Sequence, residues 1–172
     1  MYMISQPAQI VRHLALIVVI AVAAAACSSQ PSVTPAAKAD RRVVVQPRTA
    51  IPIGERAAAV ALGQLGAPYR YGGSSPTGFD CSGLVHYAYS SVGMSVPRTT
   101  AGLWSDLAPI DNGSLRIGDL LFFSIAGKMS HVGMYLGSRK FVHAPSSGRH
   151  VSVESLDSEY YRRAFIRAGR PK

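Results

Sequence analysis

The sequence predicts an α+β domain in which helices from its N-terminal half pack on a mainly antiparallel sheet from its C-terminal half. Three observations carry the expectation. Apolar residues recur at helical spacing up to about Trp104, and runs rich in β-formers crowd the stretch after Gly118-Asp119. The composition, 48% hydrophobic against 16% charged in 172 residues, fits one folded core and not a disordered chain. The domain is expected over residues 55–172, behind an export signal at 1–26 and a linker at 27–54.

The elements follow in order. Between Glu55 and Leu65, Ala57, Val60, Ala61 and Leu65 share one helical face, and Gly66 with Pro68 supplies the stop: glycine accepts a left-handed backbone and proline cannot continue the ladder. Pro68 to Gly78 is rich in turn formers and reads as a loop ending at Phe79-Asp80. From Cys81, the set Cys81, Leu84, Val85, Ala88 and Val92 forms one stripe of a second helix stopped by Gly93, which puts Cys81 in the first turn on the buried face. Thr99 caps a short helix through Trp104. Strands are expected at Leu120 to Phe123, Val132 to Leu136, Phe141 to Ala144 and Val151 to Val153, with Gly137-Ser138 as a turn signal. Tyr160 to Ala168 fits a short helix or a strand equally well.

Ahead of the domain, Arg12 and His13 precede thirteen uncharged residues, Leu14 to Ala26, which end in Ala24-Ala25-Ala26 before Cys27. This is the layout of a secretory signal. Thirteen residues rise only about 20 Å as a helix, short of the roughly 30 Å hydrocarbon core, so a removed signal is expected and not a permanent span. Ser28 to about Pro52 holds four of the eleven prolines among Ser, Thr, Gln and Ala, and reads as a flexible linker. Two cysteines are too few for a disulfide framework or a thiolate zinc site, and no metal or organic cofactor is expected. The net charge of +9, with fourteen arginines against four lysines, fits an anionic partner without naming one.

Chemistry is concentrated at Cys81. A cysteine in the first turn of a helix meets unpaired backbone N–H groups that favour thiolate over thiol and can hold an oxyanion. Standing alone, it reads more readily as a small core residue. The histidines tip the reading. Strand alternation places His131 and His143 on one face of neighbouring strands, and a hairpin symmetric about Gly137 sets them directly opposite each other. A two-residue turn at Gly137-Ser138 would instead pair His131 with Ala144. A thiol, an imidazole to take its proton and a polar group to orient that imidazole form the nucleophile, base and orienter of cysteine peptidases. His86 and His150 read as ordinary structural histidines.

Six ordered pieces carry a resemblance over Glu55 to Arg167: Pro68-Tyr69-Arg70-Tyr71-Gly72-Gly73, Phe79-Asp80-Cys81-Ser82-Gly83-Leu84-Val85, Val96-Pro97-Arg98-Thr99, Gly118-Asp119-Leu120-Leu121-Phe122-Phe123, Ser130 to Gly137, and Phe141-Val142-His143-Ala144. Together they resemble the NlpC family of papain-like bacterial cell-wall peptidases. The resemblance implies a papain-like fold, Cys81 as nucleophile, His131 as general base and acid, and His143 as the residue that orients it. It places Tyr69 at the oxyanion or substrate, and Asp80 either as an acceptor for a substrate ammonium or as a helix cap. The implied activity is hydrolysis of amide bonds in peptidoglycan stem peptides or cross-links, D-alanyl to diaminopimelate first and D-glutamyl to diaminopimelate next. A thiol acyltransferase on the same scaffold and a non-catalytic wall-binding lipoprotein are the alternatives, the latter motivated by the basic tail Arg162, Arg163, Arg167, Arg170 and Lys172. No nucleic-acid partner is implied. The small residues before Cys27 resemble a lipobox, in which the cysteine is lipidated and anchors the protein to a membrane, and Ser28 resembles the sorting residue of outer-membrane lipoproteins. Ala24 stands where that pattern usually has leucine, and with Ala26 it also forms an A-x-A site for secretion without lipid.

Overall fold

The computed structural model describes residues 50–172; the expected export signal, Cys27 and most of the expected linker lie outside the described residues. Helix α1 (Ile53–Leu62) opens the domain, followed by a two-stranded ribbon, β1 (Ser74–Ser75) and β2 (Gly78–Phe79), and by helices α2 (Cys81–Ser91) and α3 (Thr100–Asp106). The rest of the chain builds the sheet: β3 (Pro109–Ile110), β4 (Leu120–Ile125), β5 (Lys128–Gly137), β6 (Lys140–His143), β7 (Ser152–Ser155), then α4 (Glu159–Ala164) and β8 (Phe165–Gly169). Six strands run in the order β3-β8-β4-β5-β6-β7, every pair antiparallel. The α+β architecture with N-terminal helices on an antiparallel sheet is therefore as the sequence predicts.

Period-two alternation sends Leu120, Phe122, Val132 and Met134 to the face covered by Ala57, Ala61, Leu84, Val85 and Ala88 of α1 and α2. Leu121, Phe123 and Phe141 line the other face, under Leu156 and Ala164. Burial on both faces explains why β4 reads as an unbroken apolar run.

Three details depart from the expectation. Helix α1 ends at Leu62, because after Gly63 the chain tightens into i−3 bonds, Gln64 N–H to Ala61 O and Leu65 N–H to Leu62 O, and Gly66 then donates to Val151 O outside the helix. The C-terminal segment is both helix and strand: Ser158 caps α4, and the chain extends from Phe165 into β8 beside β4. The basic tail is partly committed inside the domain. Arg170 pairs with Asp119, Arg163 with Glu159, and the Arg167 guanidinium lies 3.7 Å over the Trp104 ring. Arg170 and Arg167 are thereby held against the domain, whereas the Arg163–Glu159 pair is exposed and Arg162 and Lys172 pair with no described residue.

Candidate active site

Cys81 is the first residue of α2, and Asp80 is its N-cap, accepting from Gly83 N–H at 2.6 Å. The carboxylate does more than cap. Arg98 grips both of its oxygens at 2.9 Å, Gly72 N–H donates to Oδ2 at 2.9 Å, and Ser82 Oγ donates to Oδ1 at 3.3 Å. Burial works against this carboxylate's charge, but the Arg98 and backbone hydrogen bonds outweigh it and hold the group below the usual carboxylate range. Five donors converge on the carboxylate, and the geometry shows its capping role. The Arg98 guanidinium also offsets the negative charge that Asp80 would otherwise set beside a thiolate.

The glycine of Cys81-Ser82-Gly83 is a packing requirement of this cluster. A Cβ at Gly83 would lie 1.9 Å from Gly73 O and 2.9 Å from an Arg98 nitrogen.

Cys81 is 9% exposed. Its thiol faces Thr100 Oγ1 at 3.6 Å and the Ser130 carbonyl at 3.8 Å, and forms no hydrogen bond with His131 among the described residues. Ser130 immediately precedes His131, so β5 brings the backbone next to that imidazole against the thiol. In Val96-Pro97-Arg98-Thr99-Thr100, Arg98 clamps Asp80, Thr99 caps α3 through Gly102 N–H, and Thr100 touches the thiol. A cleft of about 470 Å³ over Cys81 is lined by Tyr69, Tyr71, Asp80, Arg98 and Thr100. The half-buried Tyr69 makes no side-chain hydrogen bond among the described residues, and burial, followed by the charges of Cys81 and Asp80, pushes its hydroxyl pKa up.

The two histidines meet on β5 and β6, His131 Nε2 lying 2.7 Å from His143 Nδ1. Their register differs from both hairpins expected. The turn is Ser138-Arg139, both residues at positive φ (47° and 57°), and the ladder shifts between Tyr135 and Gly137. Continuing the Tyr135↔Phe141 and Met134↔Val142 pairs sets His143 across from Gly133, diagonal to His131 on the same face. Gly133 can bear no side chain here, since its Cβ would lie 2.5 Å from the Phe141 ring. Aromatic rings of Phe141 and Tyr161 pack within 5.1 and 5.3 Å of His143. His131 is 6% exposed and His143 1%, and burial drives both imidazoles toward the neutral form.

The far nitrogen of His143, Nε2, faces the Tyr161 hydroxyl at 3.5 Å. The contact is compatible with a set of tautomers that leaves a base at His131. If His131 Nε2 donates to His143 Nδ1, the second imidazole carries its proton on Nε2 against the Tyr161 oxygen, and His131 Nδ1 is left as a free base.

Sequence reasoning missed four contributors: Arg98 as the clamp on Asp80, Thr100, the Ser130 carbonyl and Tyr161. Arg98 and Thr100 sat in or beside a recognisable motif whose roles needed the fold. Tyr161 lay in the ambiguous C-terminal segment, where nothing singled it out. His86 binds the Val96 carbonyl through Nδ1 at 2.9 Å, a structural role.

Fold and site define a papain-like domain, a helix-borne thiol set against a buried imidazole pair on an antiparallel sheet. The chain belongs to the NlpC/P60 family, whose sequence model matches residues 66–170. It is 46% identical over 113 residues to the Escherichia coli murein DD-endopeptidase MepH, covering 62% of this chain and 42% of that protein. It is 40% identical over 108 residues to the probable peptidoglycan endopeptidase LytE of Bacillus subtilis, covering 62% of this chain and 31% of LytE. The chain thus spans less than half the length of these relatives. Among solved structures, an NlpC/P60 family protein from Bacillus cereus superposes with a TM-score of 0.65 at 32% identity, over 70% of this chain and 40% of that one. The NlpC/p60 domain of the peptidoglycan hydrolase SagA gives 0.60 at 35% identity, over 68% of this chain and 97% of that one.

Proposed function

We propose that this domain is a cysteine endopeptidase that hydrolyses amide bonds in peptidoglycan peptides, and the observation that carries the reading is the 2.7 Å bond between His131 and His143 beside a helix-terminal thiol. His131 Nδ1 takes the Cys81 proton, and the thiolate adds to the scissile carbonyl. The N–H groups of Cys81 and Ser82, which Asp80 leaves free, and the Tyr69 hydroxyl hold the oxyanion. The tetrahedral adduct collapses as the C–N bond breaks and His131 returns the proton to the leaving nitrogen. Water, deprotonated by His131, then cleaves the thioester and restores the thiol. His143 acts through His131 as its orienting residue.

The favoured bond is D-alanyl to diaminopimelate, supported by the similarity to a protein named murein DD-endopeptidase. Mass spectrometry of muropeptides released from purified peptidoglycan tests it: cross-linked dimers should fall to monomers. Release of D-glutamyl ends would move the assignment to the neighbouring bond. Cys81→Ser should lose hydrolysis while keeping the fold, because a serine hydroxyl is not ionised by a helix terminus and an imidazole; full activity in that variant would remove the thiol mechanism.

At the N-terminus, we propose export followed by lipidation of Cys27, tethering the domain through its linker to the envelope side of a membrane, with the outer membrane favoured by Ser28. The mass of the mature N-terminal peptide tests this. An unmodified terminus in the soluble fraction would mean cleavage at the Ala24-Ala25-Ala26 site without lipid.

A further inference from the structure

The thiol and the imidazole line two different clefts, whose linings are adjacent in sequence at Ser130 and His131. Cys81 lines the first, with Tyr69 and Arg98, whereas His131 lines a second of about 560 Å³ with Ser146, Arg149, Glu154, Tyr160 and Tyr161. The division has a chemical meaning. The carbonyl under attack must lie over Sγ, while the nitrogen that leaves must lie within reach of the imidazole that protonates it. The acyl half of a substrate therefore belongs in the first cleft and the amine half in the second.

The second cleft contains a cation, Arg149, with no ion-pair partner among the described residues, although Glu154 lines the same cleft. Its backbone is held on both sides, donating to Ser146 O at 3.1 Å and accepting from Tyr69 N–H at 2.8 Å. The side chain is exposed, but its place on the cleft wall is set by the same backbone bonds that position Tyr69. Its charge reaches the imidazole pair, where it adds to burial in keeping His143 neutral.

We infer that the cleft beside His131 is the subsite for the amine half of the substrate, and that Arg149 there binds a carboxylate on the carbon that bears the scissile nitrogen. The inference rests on the peptidase reading above. It names the leaving group as an amino-acid centre with a free carboxylate, as at the far centre of diaminopimelate in a cross-link. A guanidinium suits such a group because two parallel N–H donors match a carboxylate's two oxygens. Glu154 shares the cleft with the nitrogen that becomes an ammonium once the bond is cut, so the subsite complements both charges of the amino-acid product.

The test uses two synthetic cross-linked peptides that differ only in whether that carboxylate is free or a carboxamide, with wild type, Arg149→Gln and Arg56→Gln. Arg56 is exposed on α1 and lines neither cleft, so its variant controls for the loss of one positive charge. For Arg149→Gln, kcat/KM on the carboxylate peptide should fall about tenfold, mainly through KM, and on the carboxamide peptide change by less than about twofold, the scale of one charge-assisted hydrogen bond. The Arg56 variant should match wild type on both. The retained carboxamide rate also shows that Arg149→Gln is folded. Equal losses on the two peptides, or no loss on either, would overturn the subsite while wild-type cleavage left the peptidase reading intact. Wild type cutting neither peptide would overturn the peptidase reading, and the subsite with it.

Discussion

At the scale of single residues, His143 is the side chain with the most closely defined contacts, one on each ring nitrogen. Its Nδ1 faces His131 Nε2 and its Nε2 faces Tyr161, the contacts that the proposed mechanism uses to orient His131. What His131 requires is an acceptor for its Nε2 proton, and an amide carbonyl can supply one whereas a methyl group cannot. His143→Asn should therefore retain at least about tenfold more activity than His143→Ala, the scale of a charge-assisted hydrogen bond to the imidazolium formed during turnover. His131→Asn should be as damaging as His131→Ala. Rates for the four variants, each verified as folded by circular dichroism, decide the matter; equal losses at position 143 would remove the orienting role. The Asn variant has a second readout in stability. Burial lowers both histidine pKa values below the ordinary 6.5, so under acid the unfolded chain takes up protons first. The wild type thus loses stability as the pH falls below about 6.5 and keeps losing it down to the lowered folded values, and His143→Asn should lose less over that window.

Secondary-structure elements were legible where their period was strong and one face was buried. The stripe Leu84, Val85 and Ala88 specified α2 because those positions do pack on the sheet, and the turn formers after Ser91 ended it. Placing Cys81 in the first turn followed from that stripe alone, and with it much of the site. The hairpin of β5 and β6 shows the limit. Sequence favoured a turn at Gly137, the residue for which a left-handed backbone costs least, but Ser138 and Arg139 both take positive φ and the strand absorbs an extra residue at Leu136. Turn placement here answers to the pairing of whole strands, which a local window cannot weigh. Even so, the histidines still meet, because alternation keeps both on one face and ring length spans the diagonal. Short pairings such as β3 with β8 carry no sequence period, since two residues cannot show one. Tyr161 was invisible for a related reason: its contact with His143 crosses eighteen residues and depends on where α4 docks.

Across the whole molecule, the helical layer, the sheet and the C-terminus converge on Gly118-Asp119. Gly118, at φ +97°, lets the chain approach α1 so closely that a Cβ would lie 2.4 Å from the Gly54 Cα, and its carbonyl accepts the Tyr89 hydroxyl of α2 at 2.7 Å. The neighbouring Asp119 is 2% exposed and receives Arg170 at 2.7 and 2.8 Å, together with the Arg116 N–H. Arg170 follows β8, so this one buried carboxylate fastens the end of the chain to the start of β4. Removing the cation strands the charge, which is costlier than losing an exposed ion pair. Arg170→Ala should destabilise the domain by about 3 kcal/mol. Asp119→Asn placed on top of it should recover part of that loss, because the amide can still accept from Arg116 without a buried charge. Activity of the folded Arg170 variant should change little. Asp119 bonds Tyr135 N–H on β5, four residues and so about 13 Å along the strand from His131. Denaturant midpoints with unchanged m-values, measured beside kcat/KM at low temperature, separate the two effects. A stable Arg170→Ala would show that Asp119 is solvated without its partner, and a folded variant that lost its rate would show that this corner of the fold is coupled to the imidazole pair.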